Sequence, residues 1–327
     1  MRAWIHRSFG PFREVLRLEA VPPPLPPAAS ECCVSLSAAG LNFPDVLAVE
    51  GRYQVKPPLP ATPGMEGVGR VTEAGPGSRF AVGDRVLVGQ TGGVFAEALT
   101  TPDACLFRVP EAMTDREAAG FHVTYQTSLM GLVHRARLDP GETLLVHGAG
   151  GGVGSAAVQL GKAMGAHVIA TASGERRCAV ALASGADQVI DRRATDFVAE
   201  VKRLTQGRGV DVVYDPIGGE VFDGSLKVLA LEGRLLVIGF ASGTIPSAPA
   251  NRLLLKNISV LGFHWGTYRR ADPSRVARDH ETLCGLYERG LVKPALDERT
   301  FGFDKLPLAM EALMTRGASG KVIVSSQ

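Results

Sequence analysis

The sequence lacks the features that mark several large classes of protein. It has no long run of like charges, and its 35 basic residues nearly balance 33 acidic ones, so we expect no extended surface for nucleic acid or membrane lipid. No window approaches the length of a membrane span, and the first residues, MRAWIHRSFG, lack the apolar stretch of a signal peptide. These absences predict a cytoplasmic protein without nucleic-acid or membrane partners.

Cysteine is also scarce. The chain has five cysteines, an odd number, and none has the paired spacing of a zinc site or a disulfide framework. They are Cys32, Cys33, Cys105, Cys178 and Cys284. This usage fits a reducing compartment. Because Cys32 and Cys33 would point to opposite faces of a strand, we do not expect a redox dithiol.

The chain is nevertheless long enough for two domains. It has 327 residues, of which 45% are hydrophobic, and this exceeds what one compact core usually holds. Up to about Pro110, short β-like pieces are separated by glycine and proline, which predicts an all-β domain. From about Thr114 the apolar residues recur at helical spacing, and Thr114 with Glu117 is typical of a capping box.

The central part of the chain alternates apolar strands with helical segments. The strand segments are ETLLVHG, AHVIATA, DQVID, DVVYDP and RLLVIGF. Strict alternation predicts right-handed crossovers and therefore an α/β fold with a doubly wound parallel sheet. The segment from about Trp265 ends in one more strand, GKVIVSS, and is too short for a third domain. We expect this segment to return to the first domain.

A glycine-rich stretch, LLVHGAGGGVG at residues 144–154, lies where the first of these strands gives way to a helix. It reads as Ala149-x-Gly151-x-x-Gly154, a variant of the dinucleotide-binding fingerprint with alanine in place of the first glycine. Gly151 would let a diphosphate approach the main chain, where the amides and the dipole of the helix favour an anion. The alternative is a tight turn without a ligand, and the strand–turn–helix context favours dinucleotide binding.

The end of the next strand indicates which dinucleotide is bound. NAD sites place an Asp or Glu about twenty residues after the fingerprint, but Ser173 and Gly174 follow the strand here. The residues nearby are arginines instead, namely Arg176, Arg177, Arg192 and Arg193. Guanidinium groups suit a 2′-phosphate, so the sequence predicts NADPH. The alternative is that these arginines only decorate a helix start, beside Glu175, and a loop.

With these residues assembled, the chain resembles the medium-chain dehydrogenase/reductase superfamily, and within it the zinc-independent quinone oxidoreductases, the group that includes zeta-crystallin. The resemblance covers nearly the whole length. The resemblance rests on six segments: AAGLNFPDVLAVEGRY at Ala38 to Tyr53, LPATPGMEGVGRV at Leu59 to Val71, VGDRV at Val82 to Val86, the glycine turn, GVDVVYDPIGG at Gly209 to Gly219, and the GKVIV ending.

This resemblance implies a fold and an arrangement of domains. It implies a GroES-like β-barrel catalytic domain made of residues 1–120 and 265–327. A Rossmann NADPH-binding domain would comprise residues 121–264, with the active site in the cleft between the two domains. It also implies a homodimer.

Two positions that hold zinc ligands in zinc-dependent relatives carry other residues here. The resemblance matches Asn42, or its neighbour Phe43, to a cysteine ligand, and Met65 to the histidine of a Gly-His-Glu motif. Amide and thioether groups do not replace thiolate and imidazole as ligands of Zn²⁺, so we expect no metal. Without this Lewis acid, alcohol oxidation loses its usual support, which predicts reduction of an electron-poor acceptor.

The resemblance also implies roles for individual residues. Tyr53 matches the family's active-site tyrosine and Asn42 an asparagine that contacts nicotinamide or substrate, and both are candidate donors to the oxyanion that forms during reduction. The alternative for Tyr53 is an aromatic lining without a chemical role, and Leu47 replaces a second tyrosine of some relatives. The predicted cofactor-binding residues are Asn42, Thr124, Ala149, Gly150, Gly151, Gly152, Val153, Gly154, Ser173, Gly174, Arg177, Arg192, Gly239, Phe240, Phe263 and Lys321.

Several of these assignments keep an alternative. Lys321 either closes the pocket or lies on the surface. Thr124 either approaches the cofactor or bonds to the backbone of its own helix. His147 is predicted to be structural, and nothing in the sequence pairs His122 or His264 with a second catalytic group.

The predicted function is NADPH-dependent transfer of hydride to a quinone, without zinc. One alternative is reduction of activated double bonds in enals, enones or enoyl thioesters, because the same hydride geometry serves both reactions. The other is a nucleotide-binding, crystallin-like protein with little turnover. Asn42 and Tyr53 count against this last alternative.

Overall fold

The computed structural model describes residues 1–315 and 317–326. Its strands are β1 (Arg2–His6), β2 (Leu16–Ala20), β3 (Glu31–Gly40), β4 (Glu66–Ala74), β5 (Arg85–Gly89), β6 (Ala98–Pro102), β7 (Leu106–Arg108), β8 (Thr143–Val146), β9 (His167–Ala172), β10 (Gln188–Asp191), β11 (Val210–Asp215), β12 (Leu229–Val237), β13 (Ser259–Gly262), β14 (Phe301–Gly302) and β15 (Ile323–Ser325).

The helices alternate with these strands most regularly in the middle of the chain. They are α1 (Phe12–Val15), α2 (Phe43–Val49), α3 (Asp115–Ala119), α4 (His122–Leu129), α5 (Gly152–Ala163), α6 (Glu175–Ala183), α7 (Phe197–Leu204), α8 (Glu220–Val228), α9 (Ala250–Lys256), α10 (Trp265–Ala271), α11 (Pro273–Glu288) and α12 (Leu306–Met314). A π-helical segment follows α4, and the predicted capping box of Thr114 and Glu117 begins α3. Among the described residues, no helix has the length and apolar character needed to span a bilayer.

The described chain divides into two compact units. The first contains Met1–Val123 and the residues from Leu296 onward, and the second contains Thr124–Ala295. The sequence pattern predicts a return to the first domain at about residue 265, whereas α10 and α11 lie in the second unit. The chain therefore returns later than expected.

Side-chain packing explains why α11 lies in the second unit. This helix buries Val276 and Leu283, and the Nε2 of Gln126 donates a hydrogen bond to the carbonyl of Val276 (2.8 Å). Burial of apolar side chains and a satisfied buried amide stabilise the helix at this position. The helical periodicity alone indicated the element but not its partner.

The first unit is built around a mainly antiparallel β-sheet, in which only the short pair β14–β15 is parallel. Its order is β14-β15-β3-β4-β5-β7, with β6 paired to β3, and a separate hairpin joins β1 to β2. Ile323 of the closing strand lies opposite Gly40 in an antiparallel pair, so the carboxyl end of the chain returns to this unit, as the GKVIVSS pattern predicts. Val34, Val86 and Met310 lie in the apolar core.

The second unit contains a six-stranded parallel sheet of order β10-β9-β8-β11-β12-β13, which confirms the predicted Rossmann architecture. The chain first extends from β8 to β10 and then returns to place β11 on the other side of β8. Such a reversal of strand order creates the position where α/β sheets bind ligands. Strand β13 was not among the predicted strands, because it is four residues long and only partly buried.

Candidate functional site

The glycine turn occupies the carboxyl end of β8, in the middle of the parallel sheet. Gly148 has a positive φ of 63°, and its carbonyl accepts the N–H of Gly151 (3.0 Å), which turns the chain sharply into α5. Gly151 is the N-cap of α5, and no side chain among the described residues caps this helix start. Amides at such a helix start can bind an anion, and the helix dipole favours negative charge there.

Three glycines of the turn have different structural roles. A Cβ on Gly154 would lie 2.2 Å from the carbonyl oxygen of Gly148, so only glycine lets α5 pack this closely. A Cβ on Gly150 would lie 2.4 Å from the Cβ of Arg177, which shows that α6 packs on the turn. The nearest atom to a Cβ on Gly151 would be the Gly148 oxygen at 3.5 Å. The backbone at Gly151 is therefore open, as a bound diphosphate requires.

The remaining residues of the turn connect it to its surroundings. Ala149 is buried, and its N–H donates to the carbonyl of Thr171 at the end of β9 (3.0 Å). Gly152 is the first residue of α5. The carbonyl of Val153 accepts a hydrogen bond from the hydroxyl of Ser128 on α4 (3.1 Å). These contacts fix the turn between three neighbouring elements.

His147 is a buried structural link beside the turn. Its Nδ1 lies 2.8 Å from the hydroxyl of Thr171 on β9, and its Nε2 lies 2.8 Å from the hydroxyl of Ser225 on α8. Burial lowers the pKa of His147 to about 3, and the positive charge of Arg192 contributes in the same direction. The imidazole is therefore neutral at pH 7 and holds three elements together.

The loop after β9 carries the predicted Ser173 and Gly174. Gly174 has a positive φ of 86°, and its N–H donates to the carboxylate of Asp191 at the end of β10 (3.0 Å). The N–H of Arg193 donates to the same oxygen (2.9 Å). These backbone hydrogen bonds hold the pKa of Asp191 below its usual value. Asp191 thus organises the loop, a role that the sequence pattern did not reveal.

Arginines lie on the segments that adjoin this loop. A Cβ on Gly174 would lie 2.9 Å from the Nη1 of Arg193, so this guanidinium lies directly on the loop. The guanidinium of Arg192 lies 5.9 Å from the ring centroid of Phe197. Arg177 lies in the first turn of α6, which packs on the glycine turn. Arg193 was not among the predicted site residues, although the Asp-Arg-Arg motif contains it.

The predicted Gly239 and Phe240 follow β12, next to the end of β11. A Cβ on Gly218 would lie 3.0 Å from the ring of Phe240, so this ring packs on the turn after β11. The carboxylate of Asp215 shapes that turn by accepting the N–H groups of Ile217 (2.8 Å) and Gly218 (3.0 Å). Burial raises the pKa of Asp215.

Phe263 lies one strand further along the same sheet edge. Its N–H donates to the carbonyl of Val237 at the end of β12 (3.2 Å). Its side chain is buried and stacks on Tyr268, with ring centroids 5.6 Å apart. Most of the predicted cofactor-binding residues of the second unit therefore lie at the carboxyl edge of one parallel sheet.

In the first unit, Asn42 and Lys321 belong to a buried polar network. The ammonium of Lys321 donates to the Oδ1 of Asn42 (2.6 Å) and lies 2.6 Å from the Oε1 of Glu66. The Nδ2 of Asn42 donates to the same Glu66 oxygen (3.0 Å) and to the carbonyl of Gly40 (3.4 Å). The other Glu66 oxygen accepts the N–H of Val123 (2.8 Å). Lys321 is only 4% exposed, so it is a buried partner of Asn42 and not a surface lysine.

A second buried carboxyl group, Asp45, adjoins this network. Asp45 lies in the first turn of α2, and one of its oxygens accepts the N–H of Asn42 (2.7 Å). Burial raises the pKa of Asp45 to about 7, although the N–H of Asn42 and the charge of Lys321 act in the opposite direction. Sequence reasoning missed Asp45 and Glu66. The signal for both was a charged residue inside an apolar segment, in LNFPDVL and PGMEGVG.

Tyr53 belongs to the first unit, like Asn42. Tyr53 lies in the irregular segment after α2, where its side chain is partly exposed and its N–H donates to the carbonyl of Leu47 (3.1 Å). Thr124 is buried in α4 of the second unit, and its carbonyl accepts the hydroxyl of Ser128 (2.9 Å).

The two other histidines considered from the sequence have defined surroundings. The ring of buried His122 packs against the ring of Phe107 at a tilt of 35°, with centroids 4.2 Å apart. The Nδ1 of His264 lies 3.0 Å from the hydroxyl of Thr267, and burial lowers the pKa of His264.

The described residues contain no group of three or more His, Cys, Asp or Glu side chains arranged to hold a metal ion. Two positions were matched to the zinc ligands of zinc-dependent relatives. At these positions, Met65 is buried and Asn42 forms hydrogen bonds with Lys321 and Glu66. These are a thioether and an amide, which are poor ligands for Zn²⁺.

Two known protein families match this chain, one in each of its two units. Residues 28–111 match the alcohol dehydrogenase GroES-like domain, and residues 152–279 match a family described as zinc-binding dehydrogenase. The chain is 39% identical over 304 residues to quinone oxidoreductase-like protein 2 of Mus musculus, which covers 92% of this chain and 87% of the mouse protein.

Solved structures give the same result. A mycobacterial protein complexed with NADPH matches with a TM-score of 0.91 and 30% identity, over 99% of each chain. The Escherichia coli quinone oxidoreductase complexed with NADPH matches with a TM-score of 0.91 and 28% identity, over 99% of this chain and 100% of that chain. Together with the Rossmann sheet and the glycine turn, these matches show that the chain belongs to the quinone oxidoreductase family of the medium-chain dehydrogenase/reductase superfamily.

Proposed function

We propose that the protein is an NADPH-dependent oxidoreductase that reduces a quinone without zinc. The observation that carries this proposal is the open glycine turn at the start of α5, with arginines on the adjoining loop and helix. Bare amides suit a diphosphate, and guanidinium groups suit a 2′-phosphate. The NADPH complexes of the two structural relatives support the same cofactor.

The residues that would hold NADPH follow from this arrangement. We assign the diphosphate to the turn at Gly150–Gly154, and the 2′-phosphate to Arg177 and Arg192, with Arg193 as an added contact. Thr124, Ser173, Gly174, Gly239, Phe240 and Phe263 complete the cofactor assignment, together with Asn42 and Lys321. Bound NADPH supplies the hydride.

The chain must then stabilise the negative charge that develops on the acceptor oxygen. Both amide hydrogens of Asn42 are directed to Glu66 and Gly40. We therefore assign the donor role to the hydroxyl of Tyr53, and we assign Asn42 to contact with the nicotinamide or the substrate. A hydroxyl held near the oxyanion lowers the barrier because it interacts more strongly with the transition state than with the ground state.

The charge of Lys321 supports zinc independence. A metal ion bound at Asn42 and Glu66 would lie beside the ammonium of Lys321, and like charges in a buried setting repel strongly. The cation that balances Glu66 is therefore already part of the chain.

Parallel assays of NADPH consumption test the proposal. The acceptors are 1,4-benzoquinone, 9,10-phenanthrenequinone, an enone and crotonyl-CoA. We expect consumption with the quinones. Faster turnover of the enone or of crotonyl-CoA would instead support the double-bond reductase, and NADPH binding without consumption would support the low-turnover binding protein.

We also propose that the enzyme is a cytoplasmic homodimer. Strand β13 is the edge of the parallel sheet, and Leu254 and Leu255 on the preceding helix α9 are 76% and 78% exposed. A strand edge next to exposed leucines is a surface that a second copy can cover. Light scattering should give twice the mass of the chain for the native protein, and Leu254→Glu/Leu255→Glu should lower it to one copy.

A further inference from the structure

The amide of Asn42 is held between two opposite charges. Its oxygen faces the ammonium of Lys321 (2.6 Å), and its nitrogen faces the Glu66 carboxylate (3.0 Å). The reverse orientation would point amide hydrogens at an ammonium and the amide oxygen at a carboxylate. Charge-assisted hydrogen bonds are about twice as strong as neutral ones. The ion pair therefore selects one of the two amide orientations.

The surroundings of Lys321 keep its ammonium at this place. A Cβ on Gly40 would lie 3.0 Å from the Cε of Lys321, and a Cβ on Gly120 would lie 3.0 Å from its Cγ. Two glycines therefore leave room for the unbranched stem of the lysine to pass. Glu66 is fully buried, and its second oxygen accepts the N–H of Val123 (2.8 Å). Neither charged group can turn away from Asn42 without breaking a buried hydrogen bond.

We propose that Lys321 and Glu66 are positioning residues that make Asn42 a hydrogen-bond acceptor toward the bound cofactor. An amide has two N–H hydrogens and two oxygen lone pairs. Glu66 and Gly40 take both hydrogens, whereas the Lys321 ammonium and, in the capping box of α2, the N–H of Asp45 face the oxygen, so neither hydrogen is left for a ligand. The ligand group that Asn42 meets is then a donor, such as the carboxamide N–H or a ribose hydroxyl of the nicotinamide half. This inference rests on the proposed function, because it assumes that Asn42 contacts the dinucleotide.

Binding measurements on paired ligands test this role. NADPH carries the nicotinamide half, whereas adenosine 2′,5′-bisphosphate carries only the adenine half. Lys321→Met keeps an unbranched stem and removes the charge, and Lys321→Arg keeps the charge. The double variant Lys321→Met/Glu66→Gln removes both charges, so no unpaired charge remains buried. Lys305→Met, at an exposed lysine of the same unit, is the matched control.

Isothermal titration should show about tenfold weaker NADPH binding for Lys321→Met and for the double variant, as expected for one misdirected hydrogen bond. The affinity for adenosine 2′,5′-bisphosphate should be unchanged in both. Lys321→Arg should bind NADPH within about threefold of the wild-type protein, since the charge that orients the amide is retained, and Lys305→Met should match the wild type.

Two results would overturn the inference. Unchanged NADPH affinity in the folded double variant would show that the ion pair does not orient a cofactor contact. Equal weakening of both ligands would show a general structural effect. Failure of the wild-type protein to bind NADPH would refute the proposed function itself, and it is recognised before any variant is compared.

Discussion

At the scale of single residues, two glycines of one turn should respond differently to an added methyl group. Gly154→Ala would place a Cβ 2.2 Å from the Gly148 oxygen, so we expect the free energy of unfolding to fall by about 1–3 kcal/mol. The added methyl of Gly151→Ala would make only an ordinary van der Waals contact, 3.5 Å from the Gly148 oxygen, so this variant should fold normally. It should bind NADPH at least about tenfold more weakly, because the methyl group would clash with the diphosphate.

Thermal unfolding and NADPH titration of both variants measure these effects. Gly285→Ala is a control, since a Cβ there meets nothing within 4 Å and the position lies inside α11. It should leave NADPH affinity unchanged and stabilise the helix by about 0.5–1 kcal/mol. Normal NADPH affinity in Gly151→Ala would contradict the assignment of the diphosphate to this turn.

The arginines near the glycine turn should determine the choice between NADPH and NADH. Replacing Arg177 and Arg192 by Ala removes two guanidinium groups from the proposed 2′-phosphate site. We expect each substitution to weaken NADPH binding by about tenfold or more, because each removes a charge-assisted hydrogen bond, and NADH affinity to change little. Titration with both nucleotides measures the ratio.

Arg176→Ala provides a control for these substitutions, because Arg176 is an exposed neighbour on the same helix. It should alter neither affinity by a comparable amount. If the Arg177→Ala/Arg192→Ala variant bound NADPH and NADH more weakly by the same factor, these side chains would not recognise the extra phosphate.

At the scale of elements, the start of α2 should make stability depend on pH. Burial raises the pKa of Asp45 to about 7 from a usual value of 3.8, so the folded state binds a proton that the unfolded state has released between these values. This contribution to stability is fully present below pH 3.8 and is lost as the pH rises through about 7.

Asp45→Asn keeps the shape of the side chain and removes its titration. Between about pH 4 and pH 7, the stability of the wild type should therefore fall relative to this variant, by roughly 1.4 kcal/mol per pH unit. Thermal unfolding of both proteins across this range measures the difference. A constant difference would show that Asp45 is already ionised in the folded protein over this range, so that its pKa is not raised.

The stability contribution of His147, which links β8, β9 and α8, has the opposite pH dependence. The pKa of His147 is lowered to about 3 in the folded state, so its contribution is present above pH 6.5 and is lost as the pH falls toward 3. The Asp45 and His147 contributions oppose each other over much of the same pH range. The wild-type profile alone therefore hides the Asp45 effect, which is why the comparison with Asp45→Asn is needed.

At the scale of the whole molecule, activity should be independent of metal. The proposed mechanism uses no Lewis acid, and Lys321 already balances the buried Glu66. Dialysis against a strong chelator should leave the rate of NADPH consumption unchanged. A fall in rate that added Zn²⁺ restores would contradict the zinc-free mechanism.

The order of elements could be largely predicted from the sequence because the relevant signals are local. Apolar periodicity and glycine punctuation indicated the Rossmann alternation, and Thr114 with Glu117 indicated the start of α3. Strand β13 was not predicted because four half-buried edge residues carry little pattern. The placement of α10 and α11 in the second unit depends on packing between distant residues, which periodicity does not show.

The site could be predicted only in part, for the same reason. The glycine turn is contiguous in the chain, so its residues identified it. The contact between Lys321 and Asn42 joins residues 279 positions apart, and it becomes visible only when β15 pairs with β3. Residue types alone left Lys321 as either a pocket or a surface residue, whereas its burial beside Glu66 gives it a defined partner.

Titration of the purified protein with NADPH and NADH tests the central claim most directly, namely that the bare amides at the start of α5 and the adjoining arginines hold a phosphorylated dinucleotide. The account predicts saturable binding of one NADPH per chain, with clearly weaker binding of NADH. Absence of binding by either nucleotide would contradict it.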